Sequence, residues 1–492
     1  MKIIVIGAGL GGLATAAMLA AAGQDVTVFE RTGGFGGKMN QKKLEGYRFD
    51  TGPSLFTMPD VLRKVFSECG KDMDDYLELT ALEPLCRYFY QDGTVFNSYH
   101  DRQKDLDEIE RIAPEDKSSY IRFLEYSEVL YQKTSDAFLF NPLYSFSDLK
   151  NLDLFSFFGI DAFNTVAKRV DQYFESPYLK KFFKRFTTYN GSSPYRAPAT
   201  LNVIPHVEVN EGGYYVKGGL YKIARSLYDL AEEMGVKFHF NSPVDRINTL
   251  SDKITGVALS DGREFSSDIV ISNSDSTETI VKLLSKKTVS ARKKRKASEI
   301  EPSCSGFVML LGVDKIYPEL AHHNIFFTKN YEKEFQEIFD DKVMPEDPTI
   351  YVANTSYSDP EHAPDASSNL FILVNAPYLS EHYDWKELAS EYGHKVINEL
   401  ENRGLDGLSD HIRVKELVTP VDFYEKYRSN RGSIYGTSSN NRNAAFIRPR
   451  NKFRGIAGLY MTGGSTHPGG GIPLVMQSAL NVIELIDRYE GV

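Results

Sequence analysis

Gly7, Gly9, Gly11 and Gly12 form a G-x-G-x-x-G run, and Glu30 follows 18 residues after Gly12. Residues of these types at this spacing hold phosphate and sugar. Gly7 permits a sharp turn. Gly9 clears the way for backbone to approach a pyrophosphate, and Gly12 lets the next helix pack on its strand. The helix N-terminus then offers unpaired N–H groups and the positive end of its dipole. Glu30, with Arg31 beside it, ends the following strand, where a carboxylate accepts hydrogen bonds from a ribose. A glycine loop used only for packing leaves Glu30 unexplained. A second cluster, Gly33-Gly34-Phe35-Gly36-Gly37-Lys38, brings more backbone and one cation to the same place, and Gly52-Pro53-Ser54 follows. A nicotinamide dinucleotide does not need that extra lining. A flavin dinucleotide lies extended through its protein and does, so FAD is the expected cofactor.

These residues require particular elements around them. A strand over Lys2 to Ile6, a glycine turn, a helix from Leu13 to Ala22, a stop at Gly23 and a strand from Asp25 to Glu30 supply the context the glycines need. The stretch Ile3 to Gly23 carries no charge and imitates a signal peptide or membrane span. The glycines at 7, 9, 11 and 12 and the strand after it argue against both. With no other long apolar run, the chain is expected to have no transmembrane helix and to be cytoplasmic. The C-terminal region repeats the strand-turn-helix pattern: Gly458 to Gly464, then His467-Pro468-Gly469-Gly470-Gly471-Ile472-Pro473, then a helix from Leu474 to about Tyr489. Its helix N-terminus can face the flavin's pyrimidine edge and favour negative charge there. Gly463, Gly464, Gly471 and Ile472 join the expected cofactor contacts. The chain's two ends would thus close over one cofactor.

Composition narrows the function classes. The chain has 492 residues, enough for two to four domains, with 41% hydrophobic and 25% charged residues, so global disorder is excluded. Its net charge of −10 opposes general nucleic-acid binding. Three scattered cysteines provide neither a disulfide framework nor a metal site.

End to end, the sequence resembles the FAD-dependent amine-oxidase-like superfamily, and within it the bacterial-type carotenoid (phytoene) desaturases. The resemblance rests on Gly7 to Gly12, Glu30, Gly36-Gly37-Lys38, Asp50 to Pro53, Gly212 to Gly219, Asp268 to Asp275, and the closing run Gly464 to Pro473. Lys38 stands where the family more often has Arg, which removes a bidentate option, and Met461 to Ser465 also departs from the commoner pattern. The resemblance implies an α/β fold: a discontinuous Rossmann-type FAD-binding domain with an inserted α+β substrate domain and an aromatic-rich helical lid. The expected segments are 1–75, 212–285 and 431–492 for the FAD-binding domain and 76–211 and 286–430 for the substrate domain. Val244 and Asn273, in the middle FAD-binding segment, are expected to touch the cofactor.

The implied activity is desaturation of a long apolar polyene, with a lean toward a 3,4 double bond in a hydroxylated acyclic or monocyclic carotenoid. Dioxygen or a quinone would be the electron acceptor. Phytoene desaturation, carotenoid isomerisation and amine oxidation are rival enzymatic readings. A flavin-free carrier of prenylated proteins is the non-enzymatic one. His467 is the candidate acid or base, although support of the turn at Gly469 would explain it equally well. His206 and Glu208, in a strand-like stretch, are weaker candidates.

Rings concentrate in the first insertion: 19 of the 72 residues from Ser119 to Asn190 are Phe or Tyr, against 12% aromatic overall. Many must be core. The stretch Phe138 to Phe163 also suits a tunnel wall or a lid dipping into a bilayer. Lys180, Lys181, Lys184 and Arg185 beside Phe182, Phe183 and Phe186 suit a patch on anionic lipid. Peripheral membrane attachment is therefore expected. The cationic run Arg292 to Lys296 reads as a solvated helix face or a second lipid contact.

Overall fold

The computed structural model describes residues 1–135, 159–440 and 448–492. Its organising element is a five-stranded parallel sheet. In chain order the strands are β1 (Lys2–Ile6), β2 (Asp25–Phe29), β3 (Lys237–His239), β4 (Ile269–Ser272) and β5 (Leu459–Met461). They lie side by side as β3-β2-β1-β4-β5. This is the order of a mononucleotide-binding half, with its reversal beside β1.

Alternation along β1 builds two cores from four consecutive apolar residues. Ile3 and Val5 face a helical layer of α1 (Leu10–Ala21), α2 (Tyr221–Glu233) and α3 (Ile472–Glu490). Ile4 and Ile6 face an antiparallel three-stranded sheet formed by Val244–Leu250, Lys253–Leu259 and Glu264–Ser266. Strands β1 and β4 match the sequence expectation. Helix α1 begins at Leu10, three residues early, because Gly11 and Gly12 continue the helix inward from the turn. The apolar spacing of Leu220, Ile223, Leu227 and Leu230 predicts a helix from Tyr215 to Gly235, and it starts only at Tyr221. Tyr214–Val216 is instead a strand paired with Leu79–Ala81, and Gly218 and Gly219, both at positive φ, separate the two.

A second, seven-stranded sheet lies beyond the carboxyl ends of the first. Two of its strands, Cys86–Phe89 and Val95–Ser98, come from the first insertion, and five come from residues 305–418. Neighbours run antiparallel except for His323–Phe326 beside Cys86–Phe89. One face packs on the helix Trp385–Glu401 through Phe307, Met309, Ile372 and Val374. The intervening residues Val308, Phe371 and Leu373 face a cavity.

Three expectations change here. Phe182, Phe183 and Phe186 are fully buried, and Arg185 and Lys184 are buried with them, so this cluster is interior and not a lipid-facing patch. Lys181 donates to the Thr328 carbonyl at 2.7 Å. His206 and Glu208 lie in a helical turn, His206–Asn210, and not in a strand. The cationic run forms the expected helix, Ala291–Ser298, with Arg292, Arg295 and Lys296 exposed, and departs from a solvated face only at Lys293, 3.7 Å over the Phe453 ring, and Lys294, which donates to the Val281 carbonyl. Of the expected lid, Phe138 to Phe158 lies outside the described residues. Among the described residues, no helix is long and apolar enough to cross a membrane.

Candidate functional site

A cavity of about 790 Å³ joins the carboxyl ends of the five-stranded sheet to the open face of the seven-stranded one. Of the cofactor residues expected from sequence, all but Gly12 line it, as does His467. Gly12 packs instead: a Cβ there would stand 2.1 Å from the Gly7 carbonyl oxygen.

Three loops interlock at the glycine end. Gly36 N–H donates to the Ala8 carbonyl at 2.8 Å, and a Cβ on Gly37 would lie 3.2 Å from the Gly9 Cα. The second glycine cluster therefore packs backbone against backbone on the first. A Cβ on Gly9 would meet the Asn273 amide nitrogen at 2.7 Å, and one on Gly463 would meet its amide oxygen at 2.5 Å. Asn273, which follows β4, thus fills the gap between the turn after β1 and the turn after β5. Gly9 was expected to make room for pyrophosphate; it also makes room for this side chain.

Glu30 is fixed before any ligand arrives. One carboxylate oxygen accepts from Ala8 N–H at 2.8 Å, and the other accepts from the Thr32 N–H and hydroxyl, each at 2.8 Å. A carboxylate has about four acceptor positions, so one remains for a ribose hydroxyl. Arg31 lines the cavity, but its guanidinium donates to the Glu425 and Lys426 carbonyls at the end of the helix Pro420–Tyr427. Lys38 donates to the carbonyls of Ser433 (3.1 Å) and Ile434 (2.9 Å). Lost hydration lowers its ammonium to about 8, against the opposing pull of Asp275.

The cavity is electropositive where an anion is wanted. Both α1 and α3 begin there, with no side-chain cap and no acidic residue in the first turn. A Cβ on Gly471, before α3, would meet open space. Arg448 is 6% exposed, has no carboxylate partner among the described residues, and leaves one terminal nitrogen without an acceptor. Its other terminal nitrogen donates to the Asn190 side chain at 2.6 Å. Burial lowers its guanidinium to about 10. Two unpaired helix N-termini, one ammonium and one uncompensated guanidinium fit a cofactor with a diphosphate and an electron-accepting ring.

His467 is next to this charge. Burial and the positive charge of Arg448 lower its imidazole to about 4. It is therefore neutral near pH 7, with an Nε2 that has no partner among the described residues. A neutral imidazole here is a weak base, and its role is to accept or share a hydrogen bond. Sequence reasoning missed a second buried imidazole. His323 Nδ1 lies 2.7 Å from the Tyr351 hydroxyl, which lies 2.5 Å from the Ser54 hydroxyl on the cofactor-binding loop. All three residues line the cavity. No local motif marks His323 or Arg448; sheet pairing and the C-terminal turn bring them in. His206 does not line the cavity, whereas Glu208 does. All three cysteines are buried thiols, and burial raises each to about 12, so none is poised as a nucleophile.

Known proteins resemble this chain along its length. Residues 10–486 match the family described as flavin containing amine oxidoreductase. The chain is 37% identical to a 4,4'-diaponeurosporene oxygenase of Staphylococcus haemolyticus, over 99% of this chain and 97% of that protein. It is 37% identical to a 4,4'-diapolycopene oxygenase of a Methylomonas species, over 97% of this chain and 96% of that protein. Its fold is similar to that of cyclohexylamine oxidase from Brevibacterium oxydans, with a TM-score of 0.64 at 16% identity, covering 99% of each chain.

Proposed function

Because this chain belongs to the flavin containing amine oxidoreductase family, and is an FAD-dependent oxidoreductase that modifies carotenoids, we propose that it oxidises the end of a long acyclic carotenoid with dioxygen. The observation that carries this reading is the single cavity that runs from the glycine turns to an apolar chamber, in a chain matched end to end by two polyene oxygenases.

Bound FAD supplies the electron acceptance that the side chains lack. The proposed cofactor contacts are the residues expected from sequence, with Glu30 on the ribose and the N-termini of α1 and α3 toward the anionic groups. The chain's own part is to hold one end of the polyene against the ring and to exclude water. Leu201, Ile204, Ile325, Phe371 and Leu373 provide the apolar walls. His467 and the string Ser54–Tyr351–His323 border the cavity as neutral hydrogen-bonding groups that can orient or pass on a proton, and burial keeps both imidazoles from retaining one. Converting a terminal methyl to an aldehyde with dioxygen balances with one water as co-product. We propose the five-segment domain partition for the same chain. We also propose that the substrate, insoluble in water, is drawn from a bilayer surface.

The test is expression in cells that make a defined acyclic carotene, followed by mass analysis of the pigments. Oxygenation gives a product with one oxygen more and two hydrogens fewer. The 3,4 double bond expected from sequence removes two hydrogens and adds no oxygen, and that product would replace the oxygenase reading. An unchanged mass with a changed spectrum would indicate isomerisation.

A further inference from the structure

Arg185 and Glu208 are 4% and 2% exposed, yet both line the cavity. One terminal nitrogen of Arg185 donates to a Glu208 oxygen and to the Tyr88 hydroxyl. The Tyr189 hydroxyl donates to the other Glu208 oxygen. Four rings box the guanidinium: Phe186 at 4.1 Å, Tyr88 at 5.2 Å, Tyr189 at 5.5 Å and Phe182 at 5.9 Å. Its Nε–H has no acceptor among the described residues.

A hydrocarbon gains nothing from such a group. Taking an ion pair out of water costs several kcal/mol per ion, and well-packed apolar residues often do as well or better for stability. The wall residues Leu201, Ile204 and Val207 are apolar, and Thr188, Asn190 and Thr200 bring only neutral polar groups, so the buried ion pair sets this position apart from the wall on either side. An oxygen atom on the ligand would change the balance. It could share the Tyr189–Glu208 hydrogen bond at the cavity wall. Glu208 already neutralises Arg185, so the seat suits a neutral oxygen, in an aldehyde or alcohol, and not a carboxylate.

We propose that Arg185, Glu208 and Tyr189 bind an oxygenated end of the polyene, so that the preferred substrate carries oxygen at one end while the enzyme oxidises the other. This rests on the carotenoid reading above and deepens it. It also sets a place in a reaction sequence: an oxidation of one end, by this chain or by another enzyme of the same class, must precede the preferred turnover.

The test uses the FAD-loaded protein in detergent micelles with matched polyenes ending in methyl, aldehyde, alcohol or carboxylate. The parent should show a KM about tenfold or more lower for the aldehyde- or alcohol-ended polyene than for the hydrocarbon. Tyr189→Phe, which removes one hydroxyl and keeps the ring, should erase most of that difference. Glu208→Gln should do the same, but it leaves a buried cation uncompensated; if it fails to fold, Tyr189→Phe decides. Equal KM values in the parent, or an equal rise for both substrates in Tyr189→Phe, would overturn the proposal. Equilibrium binding of a short, non-reacting polyene aldehyde, read from its visible absorbance, tests the seat without turnover. A flavin-loaded parent that binds the aldehyde but oxidises no polyene would sink the carotenoid reading and spare the oxygen seat.

Discussion

At the scale of single residues, the site is built by removing partners as much as by supplying them. Glu30 has its hydrogen bonds in place before the ligand arrives, so ordering it on binding costs little entropy. His467 is the reverse: a ring held neutral, with one nitrogen unmatched. The unfolded chain protonates this imidazole below about 6.5, but the folded chain does so only below about 4. Between those values the unfolded state binds more protons, so stability falls as the pH drops from 6.5 toward 4, and the loss is complete below 4. The gap corresponds to roughly 3 kcal/mol at most. His467→Gln should flatten this part of the acid limb. Denaturant titrations of parent and variant at several pH values check it, and parallel pH slopes would remove His467 from the account.

At the scale of elements, the turn after β1 separates two jobs that one motif was expected to do together. Gly12 is required for packing, because a Cβ there meets fixed backbone at 2.1 Å. Gly9 meets only the end of the Asn273 side chain, which can swing. Gly12→Ala should therefore lower the yield of folded protein, with α1 unable to seat on β1. Gly9→Ala should fold, with Asn273 displaced, and lose FAD affinity by about tenfold or more. Thermal melts of the apoprotein with flavin-fluorescence titration separate the two. Equal melting temperatures for the two variants would show that the close contact at Gly12 relaxes without cost.

At the scale of the whole molecule, the cavity lies between sequence-distant segments. Gly7 and Gly463 are about as far apart in the chain as two residues can be, yet both touch Asn273. The seven-stranded sheet supplies the apolar floor. Attachment to a bilayer would shorten the substrate's path through water. Phe163, the last residue of the stretch assigned to a lid, is 80% exposed. The FAD-loaded protein should co-sediment with liposomes at moderate salt, and a chain shortened across Phe138 to Phe163 should do so much less. Equal sedimentation of the two would detach the lid from membrane binding.

The sequence alone determined the cofactor end of the protein. Glycine spacing, a carboxylate in register and a repeated strand-turn-helix pattern are local, and backbone sterics tie them to one geometry. The position of β1, and the membership of all but Gly12 in the cavity wall, follow from residues read in a line. The substrate end was decided by tertiary structure. Ser305–Val313 and Ser368–Ala376 are nearly continuous apolar runs buried on both faces, so no polar residues mark which side of each strand faces the cavity. The run Lys180 to Phe186 reads as a surface patch because alternating rings and cations fit a lipid interface. Only folding shows that Arg185 turns inward to Glu208, 23 residues away, since the partner that offsets its lost hydration lies on another segment.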